Sequence, residues 1–272
     1  MVTYVATLGV PRHVVEFLAR LLAAHRWRIG TPKGSRALGP FRQAVLVLCW
    51  FREPGCVHCL ARDAGVSQAT GYRYLHEGID VLAEKAPELH EVLSRCQREG
   101  MTHVILDGTL IESDRLAGMR DNGNDWWFSQ KHKVFGGNIQ FLSAPDGTPL
   151  WVSDVEPGST SDSTAARIHA LPALSALYKA AADGLTTLAD KGYIGAGIGI
   201  LIAVRRPKGK SEHALHVDTR MFNTLLRHVR ALGERSAAEL KQRWRALQHV
   251  ALSPSRIGDI ARAVLVLNGI WK

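Results

Sequence analysis

Apolar positions recur at helical spacing through the first hundred residues and give way to short strand-like runs after them. Residues 11–29 place Val14, Val15, Phe17, Leu18, Leu21 and Leu22 on one helical face, with Pro11 suited to the first turn. A polar, Gly/Pro-rich connector over 30–40 leads to a second apolar helix at about 41–52, which Pro54-Gly55 stops. The stretch 60–75 reads as a short helix ending at Gly65, a cap at Ser67 and a second helix, with Val66 packed between the two. That helix continues through Ile79, Val81 and Leu82 to near Pro87, and a further helix reaches about Gly100.

From residue 101 the period changes. Runs at 102–106, 133–143 and 149–155 predict three strands, the last two joined by the turn Pro145-Asp146-Gly147-Thr148. A helical stretch over about 161–182, strand-like runs at 185–189 and 198–204, a long helix over about 219–248 and a last one over 255–269 complete the order. Such an order predicts a mixed α/β domain, residues 101–272, with helices on the faces of a mixed sheet. An all-helical domain, residues 1–100, precedes it. Within that domain, about 58–83 has the helix-turn-helix pattern, whose second helix enters the DNA major groove. Gln68, Thr70, Gly71 and Arg73 are its expected outward residues. An ordinary helical hairpin is the alternative for so short a pattern.

The 272 residues are 46% hydrophobic, enough for a real core, and the net charge is +9. Its placement is uneven. Residues 1–100 hold 13 basic against 9 acidic residues, 101–204 hold 7 against 11, and 205–262 hold 13 against 5. Basic flanks around an acidic middle suit a polyanion held outside and cations held within, with surface charge for solubility as the alternative. The longest apolar stretch, Ala44 to Phe51, is too short for a bilayer, and the start lacks a secretory pattern, so a soluble intracellular chain without membrane partners is expected. Cys56-Val57-His58-Cys59 has zinc-like or redox-like spacing but no second pair of ligands nearby, so all four cysteines are expected to be small buried thiols.

Two aliphatic runs end on an acid, Val104-Ile105-Leu106-Asp107 and Leu188-Ala189-Asp190, so these carboxylates are expected to emerge together at one edge of a sheet. Glu234 follows in the basic helical segment. Phosphodiester cleavage needs stabilisation of an attacking and a leaving oxygen, which two Mg²⁺ ions roughly 3.5–4 Å apart supply. Mg²⁺ takes a few carboxylates plus water and substrate oxygens, a demand that two strand-borne Asp and one longer Glu can meet. Asp162 also lies in this region; it is read as a stabilising residue at a helix N-terminus, with a supporting partner of the site's acids as the alternative. Gly209-Lys210-Ser211 lacks the upstream glycine of a phosphate loop, and Trp126-Trp127-Phe128 is read as a core patch with base stacking as the alternative.

Several blocks in order resemble a known family: Leu106-Asp107-Gly108-Thr109, the run Gln130 to Gln140, Glu156-Pro157-Gly158-Ser159-Thr160-Ser161-Asp162, Leu188 to Gly195, and Asn223 through Glu234 to Lys241. The chain resembles bacterial insertion-sequence transposases of the Asp/Asp/Glu (DDE) type, in insertion-sequence family five, related to the Harbinger transposases. The resemblance implies a ribonuclease-H-like core with Asp107, Asp190 and Glu234 as the catalytic, metal-binding triad for two Mg²⁺ ions, Mn²⁺ substituting. The family's last signature falls on Arg230 and Lys241, and Arg227 stands where Tyr is usual.

The expected function is therefore binding of terminal inverted repeats, followed by metal-dependent DNA cleavage and strand transfer into target DNA. A homodimer or larger assembly on paired ends, in the bacterial cytoplasm at the nucleoid, is implied. Gln68, Thr70 and Arg73 would meet DNA from the helical domain, with Lys131, Lys133, Arg205, Arg206, Lys208, Lys210, Arg230, Lys241 and Arg243 as phosphate contacts. A catalytically silent, domesticated derivative is the alternative; retention of all three acids argues against it. A ribonuclease-H-like nuclease of another kind would not need the helix-turn-helix.

Overall fold

The computed structural model describes residues 8–53, 56–121, 123–180, 185–195, 197, 199–205 and 215–271. They divide into two compact units, one of residues 1–86, 240–250 and 259–272, the other of 87–239 and 251–258.

The first unit is helical. Its elements are α1 (Arg12–Arg28), α2 (Pro40–Arg52), α3 (Val57–Asp63) and α4 (Gln68–Ala83), joined by the ends of α8 (Val217–Arg243) and α9 (Ile257–Ile270). The apolar stripes do what their spacing predicts: Val14, Leu18 and Leu22 of α1, Leu48 and Phe51 of α2 and Leu75, Ile79 and Leu82 of α4 are all buried. Trp244 fills the remaining space, edge-on to both Phe51 and Trp271. Between α3 and α4 the chain turns at Gly65 (φ +72°), and the Ser67 hydroxyl accepts from the Thr70 amide. Gly71 does not face outward as the sequence suggested. A Cβ there would come within 2.7 Å of Ala61 Cβ, so Gly71 is the point where α4 lies against α3. Among the four cysteines only Cys96 is buried; Cys56 and Cys59 are exposed, which corrects the expectation for that pair.

The second unit is α/β. In chain order it holds α5 (Leu89–Arg98), β1 (His103–Ser113), β2 (Phe128–Ser129), β3 (Val134–Ser143), β4 (Pro149–Val152), β5 (Glu156–Pro157), α6 (Asp162–His169), α7 (Leu171–Ala180), β6 (Thr186–Leu188), β7 (Ile200–Leu201) and most of α8. Sheet order is β2-β3-β1-β6-β7, with β4 and β5 also paired to β3. Pairing is antiparallel between β1 and β3 and parallel from β1 to β6 and β6 to β7, so the sheet is mixed. Val104 and Leu106 of β1 enter a core with Leu142, Trp151, Ala166, Leu171, Leu174 and Tyr193. Ile105 points the other way, where Gly233 lets α8 pack against it. Helices thus cover both faces, as alternation along a buried strand requires.

Two sequence expectations change. The strand that was to end at Asp107 runs on to Ser113, because β3 pairs with it as far as Glu112↔Gly136. The single helix expected over 161–182 is two, broken at Ala170 just before Leu171-Pro172. Among the described residues no helix is long and apolar enough to cross a membrane.

Candidate acidic site

The parallel register pairs Ile105 with Leu188. Two residues further along each strand come Asp107 and Asp190, so the register sets the two acids level with one another. Here β6 has finished, while β1 continues. Asp107 is therefore a mid-strand residue left beside the end of its shorter neighbour, rather than a strand-end residue. Asp190 leads into a one-turn 3-10 helix, Lys191–Tyr193, whose first amide it caps at 2.5 Å. Asp107 Oδ1 accepts from the amide of Gly108 at 2.9 Å.

Strand alternation turns Asp107 toward the side that carries α8. There Arg230 Nη2 donates to Glu234 Oε1 at 2.9 Å, one helical turn on, while Nη1 lies 3.5 Å from Asp190 Oδ1. Glu234 thus sits well inside α8, as the long helix over about 219–248 predicted. The Arg230 side chain is only 12% exposed. The sequence put Arg230 on a DNA-facing surface; instead its charge is turned in among the acids. Burial pushes the Asp107 carboxyl up to about 6, with Glu234 and Asp162 adding to the rise and Arg230 opposing it. Burial, then Asp107, Asp162 and Asp190, also raises the Tyr193 phenol.

Does this donor set fit a divalent ion? All three acids offer hard oxygens, and burial leaves Asp107 short of compensating charge. A guanidinium, itself a cation, already bridges two of them. Among the described residues, no three His, Cys, Asp or Glu side chains stand close enough to hold an ion as arranged. The chemistry of the donors fits Mg²⁺ or Mn²⁺, with Arg230 occupying the focus of negative charge.

Gln68 and Arg73 are exposed at the start of α4, where Thr70 accepts from Arg73 at 3.1 Å. Lys131 pairs with Asp162 at 2.9 Å, Lys133 donates to Gln130 at 3.2 Å, and Arg205 is exposed. Arg243 donates to Asn268 at 2.6 Å and lies over the Trp271 ring, and Lys241 is half-buried. Arg206, Lys208 and Lys210 lie outside the described residues. Trp126 is not core: it is 44% exposed, with Arg120 over its ring at 4.8 Å.

Sequence reasoning missed the amides Asn138 and Gln140 and the phenol of Tyr193. The signal was present, since two amides two residues apart interrupt an otherwise apolar strand on one face. Asp162, read as a helix-end residue, uses its carboxylate elsewhere: the cap of α6 is Ser161, and Asp162 accepts from Lys131 and Asn138.

Fold and site together define a mixed α/β protein in which Asp107 lies beside the end of its shorter parallel neighbour, and Asp190, just past that end, is joined through Arg230 to Glu234 of α8. A family model described as DDE superfamily endonuclease matches residues 106–268, and the chain belongs to that family. Two solved structures are similar at low level. One, "Mos1 transposase paired-end complex with left transposon end", is 13% identical with a TM-score of 0.22, over 98% of this chain and 99% of that one. The other, "Crystal structure of a pre-cleavage Mos1 transpososome", is 14% identical with a TM-score of 0.19, over 99% of each chain. No curated protein matches the chain.

Proposed function

We propose that this chain is a DDE-type transposase of a bacterial insertion sequence, a member of insertion-sequence family five related to the Harbinger enzymes. It binds the element's terminal inverted repeats and carries out DNA cleavage and strand transfer. The observation that carries the reading is the level register of Asp107 and Asp190, with the largely covered Arg230 joining Asp190 to Glu234. The mixed sheet, with acids at the carboxyl end of a central parallel pair, supports a ribonuclease-H-like core.

In the first step a water attacks the phosphodiester at the element end and frees a 3′-hydroxyl. In the second that hydroxyl attacks target DNA. Two Mg²⁺ ions, or Mn²⁺ in their place, would stabilise the attacking and leaving oxygens when bound. Asp107 and Asp190 would hold them through short side chains on rigid backbone, and Glu234 would reach in from α8. Arg230 balances the charge of the acids in the ion-free chain. Gln68, Thr70 and Arg73 on α4 would meet the DNA from a helix-turn-helix, and Lys131, Lys133, Arg205 and Lys241 would meet phosphates. Such an enzyme works on paired ends as a homodimer or larger assembly, at the nucleoid.

The test is a cleavage and strand-transfer assay on DNA carrying the element's own ends, with Mg²⁺, comparing wild type with Asp190→Ala. Loss of several kcal/mol of charge stabilisation predicts a fall of about a hundredfold or more. Cleavage untouched by that change contradicts the assignment, and binding without any Mg²⁺-dependent cleavage points to a silent derivative.

A further inference from the structure

Next to Asp107, Gly108 faces the opposite side of β1 and leaves room for a second polar centre. A Cβ on Gly108 would lie 2.8 Å from Asp162 Oδ1 and 2.8 Å from Gln140 Nε2. Hydrogen bonds run through this centre in one direction. Tyr193 Oη donates to Gln140 Oε1 at 2.6 Å, Gln140 Nε2 to Asn138 Oδ1 at 3.1 Å, and Asn138 Nδ2 to Asp162 Oδ1 at 2.8 Å. From the solvent side Lys131 Nζ donates to Asp162 Oδ2 at 2.9 Å. Every proton points toward Asp162, and an ionised carboxylate can accept from both directions at once. Tyr193, Asn138 and Gln140 are buried, so the inner arm is fixed, whereas Lys131 reaches solvent. Lys131 and Asp162 border an open cleft of about 260 Å³, also lined by His132, Ser159 and Thr160. The hydrogen bond to Asp162, and after it the charges of Asp162, Asp107 and Asp190, strengthen the hold of the Lys131 ammonium on its proton, against the opposing effect of burial.

We propose that Asp162 is a positioning residue that holds Lys131 at the mouth of this cleft, ready for a phosphodiester group of bound DNA. The role rests on the reading of this site as a DNA-cutting centre. A lysine side chain is long and flexible. One held by a carboxylate that buried amides themselves hold is ordered before DNA arrives, so less ordering is needed on binding. Asp162 is separable from the helix cap, because Ser161 supplies that bond at 3.2 Å.

The experiment measures affinity of the full chain for a mixed-sequence DNA duplex across a range of salt, for wild type, Lys131→Met, Asp162→Asn and the double variant. Asparagine at 162 keeps an acceptor for Asn138 but turns an NH₂ toward Lys131, so the inner arm stays while the lysine is released. Each single change should weaken binding and lower the slope of log K against log salt by about 0.9, the value of one phosphate contact. With Lys131 already gone, Asp162→Asn should add no further loss. A carboxylate that merely repels DNA would give the opposite sign, with Asp162→Asn binding more tightly in both backgrounds, and that result overturns the proposal. Lys131→Met alters an exposed side chain and leaves the core intact; an unchanged slope in that variant, with wild type binding steeply, overturns the proposal alone. Absence of salt-dependent DNA binding by wild type overturns the reading of the site and this role together.

Discussion

The two faces of β1 handle buried polarity in contrasting ways. On the α8 side Asp107 is a half-buried carboxylate with one neighbouring amide as donor, and it shares one guanidinium with Asp190 and Glu234. On the α6 side Asp162 has a donor for each oxygen, and the amides behind it are paired in turn. The first face leaves negative charge under-compensated, the condition under which a carboxylate cluster takes up a cation. The second is saturated and holds shape. One residue step along a single strand separates a centre built to accept from a centre built to stay still.

That contrast can be broken in measurable ways. The largest effect expected on stability is its pH dependence in the ion-free protein. Because the folded chain binds the Asp107 proton more tightly than the unfolded chain, this group favours folding most below about pH 4, its ordinary range. The advantage is lost as pH rises through about 6. A shift of that size corresponds to about 3 kcal/mol. Denaturant unfolding at several pH values should show stability falling over this window in wild type, and a flat response in Asp107→Asn.

Gly108→Ala comes next. Its methyl would drive into Asp162 and Gln140, both held by other bonds, and overpacking of this kind costs about 1–3 kcal/mol. Thermal unfolding should detect it, and an unchanged midpoint would mean that the saturated centre is loose. Smaller still is Tyr193→Phe, which strips the donor from Gln140 Oε1 inside the core and should cost about 1 kcal/mol. Since Tyr193 follows Asp190 by three residues, this change also reports whether the two centres are mechanically linked.

Local pattern reveals elements more readily than it reveals neighbours. The helices of the first unit, the hairpin at Pro145 to Thr148 and the mixed character of the sheet are legible because amphipathic spacing and turn chemistry are local properties. What decides the site is not local. The run ending at Asp107 looks complete because the following residues, Gly108-Thr109-Leu110, are less uniformly apolar; only pairing with β3 reveals that the strand continues. Asp162 at the start of α6 resembles any acid in a first helical turn, and its true partners lie 24 and 31 residues away. Gly71 and Gly108 illustrate the same limit, since the absence of a side chain says nothing about what presses against it. Arg230 illustrates it for charge: its position on a basic helix suggests DNA, while its neighbours on two other elements turn it inward.

Glu234 is the acid whose place owes most to family likeness, and it makes the sharpest test of whether these carboxylates form one cation site. Titration of Mn²⁺ into the DNA-free chain, followed by calorimetry for wild type and Glu234→Gln, measures that directly. Loss of an oxygen ligand predicts that the variant binds at least about tenfold more weakly, by analogy with the effect of disturbing a ligand's support. Equal affinity in the two proteins, or no uptake by wild type, would contradict the assignment of Asp107, Asp190 and Glu234 to a single metal-binding centre.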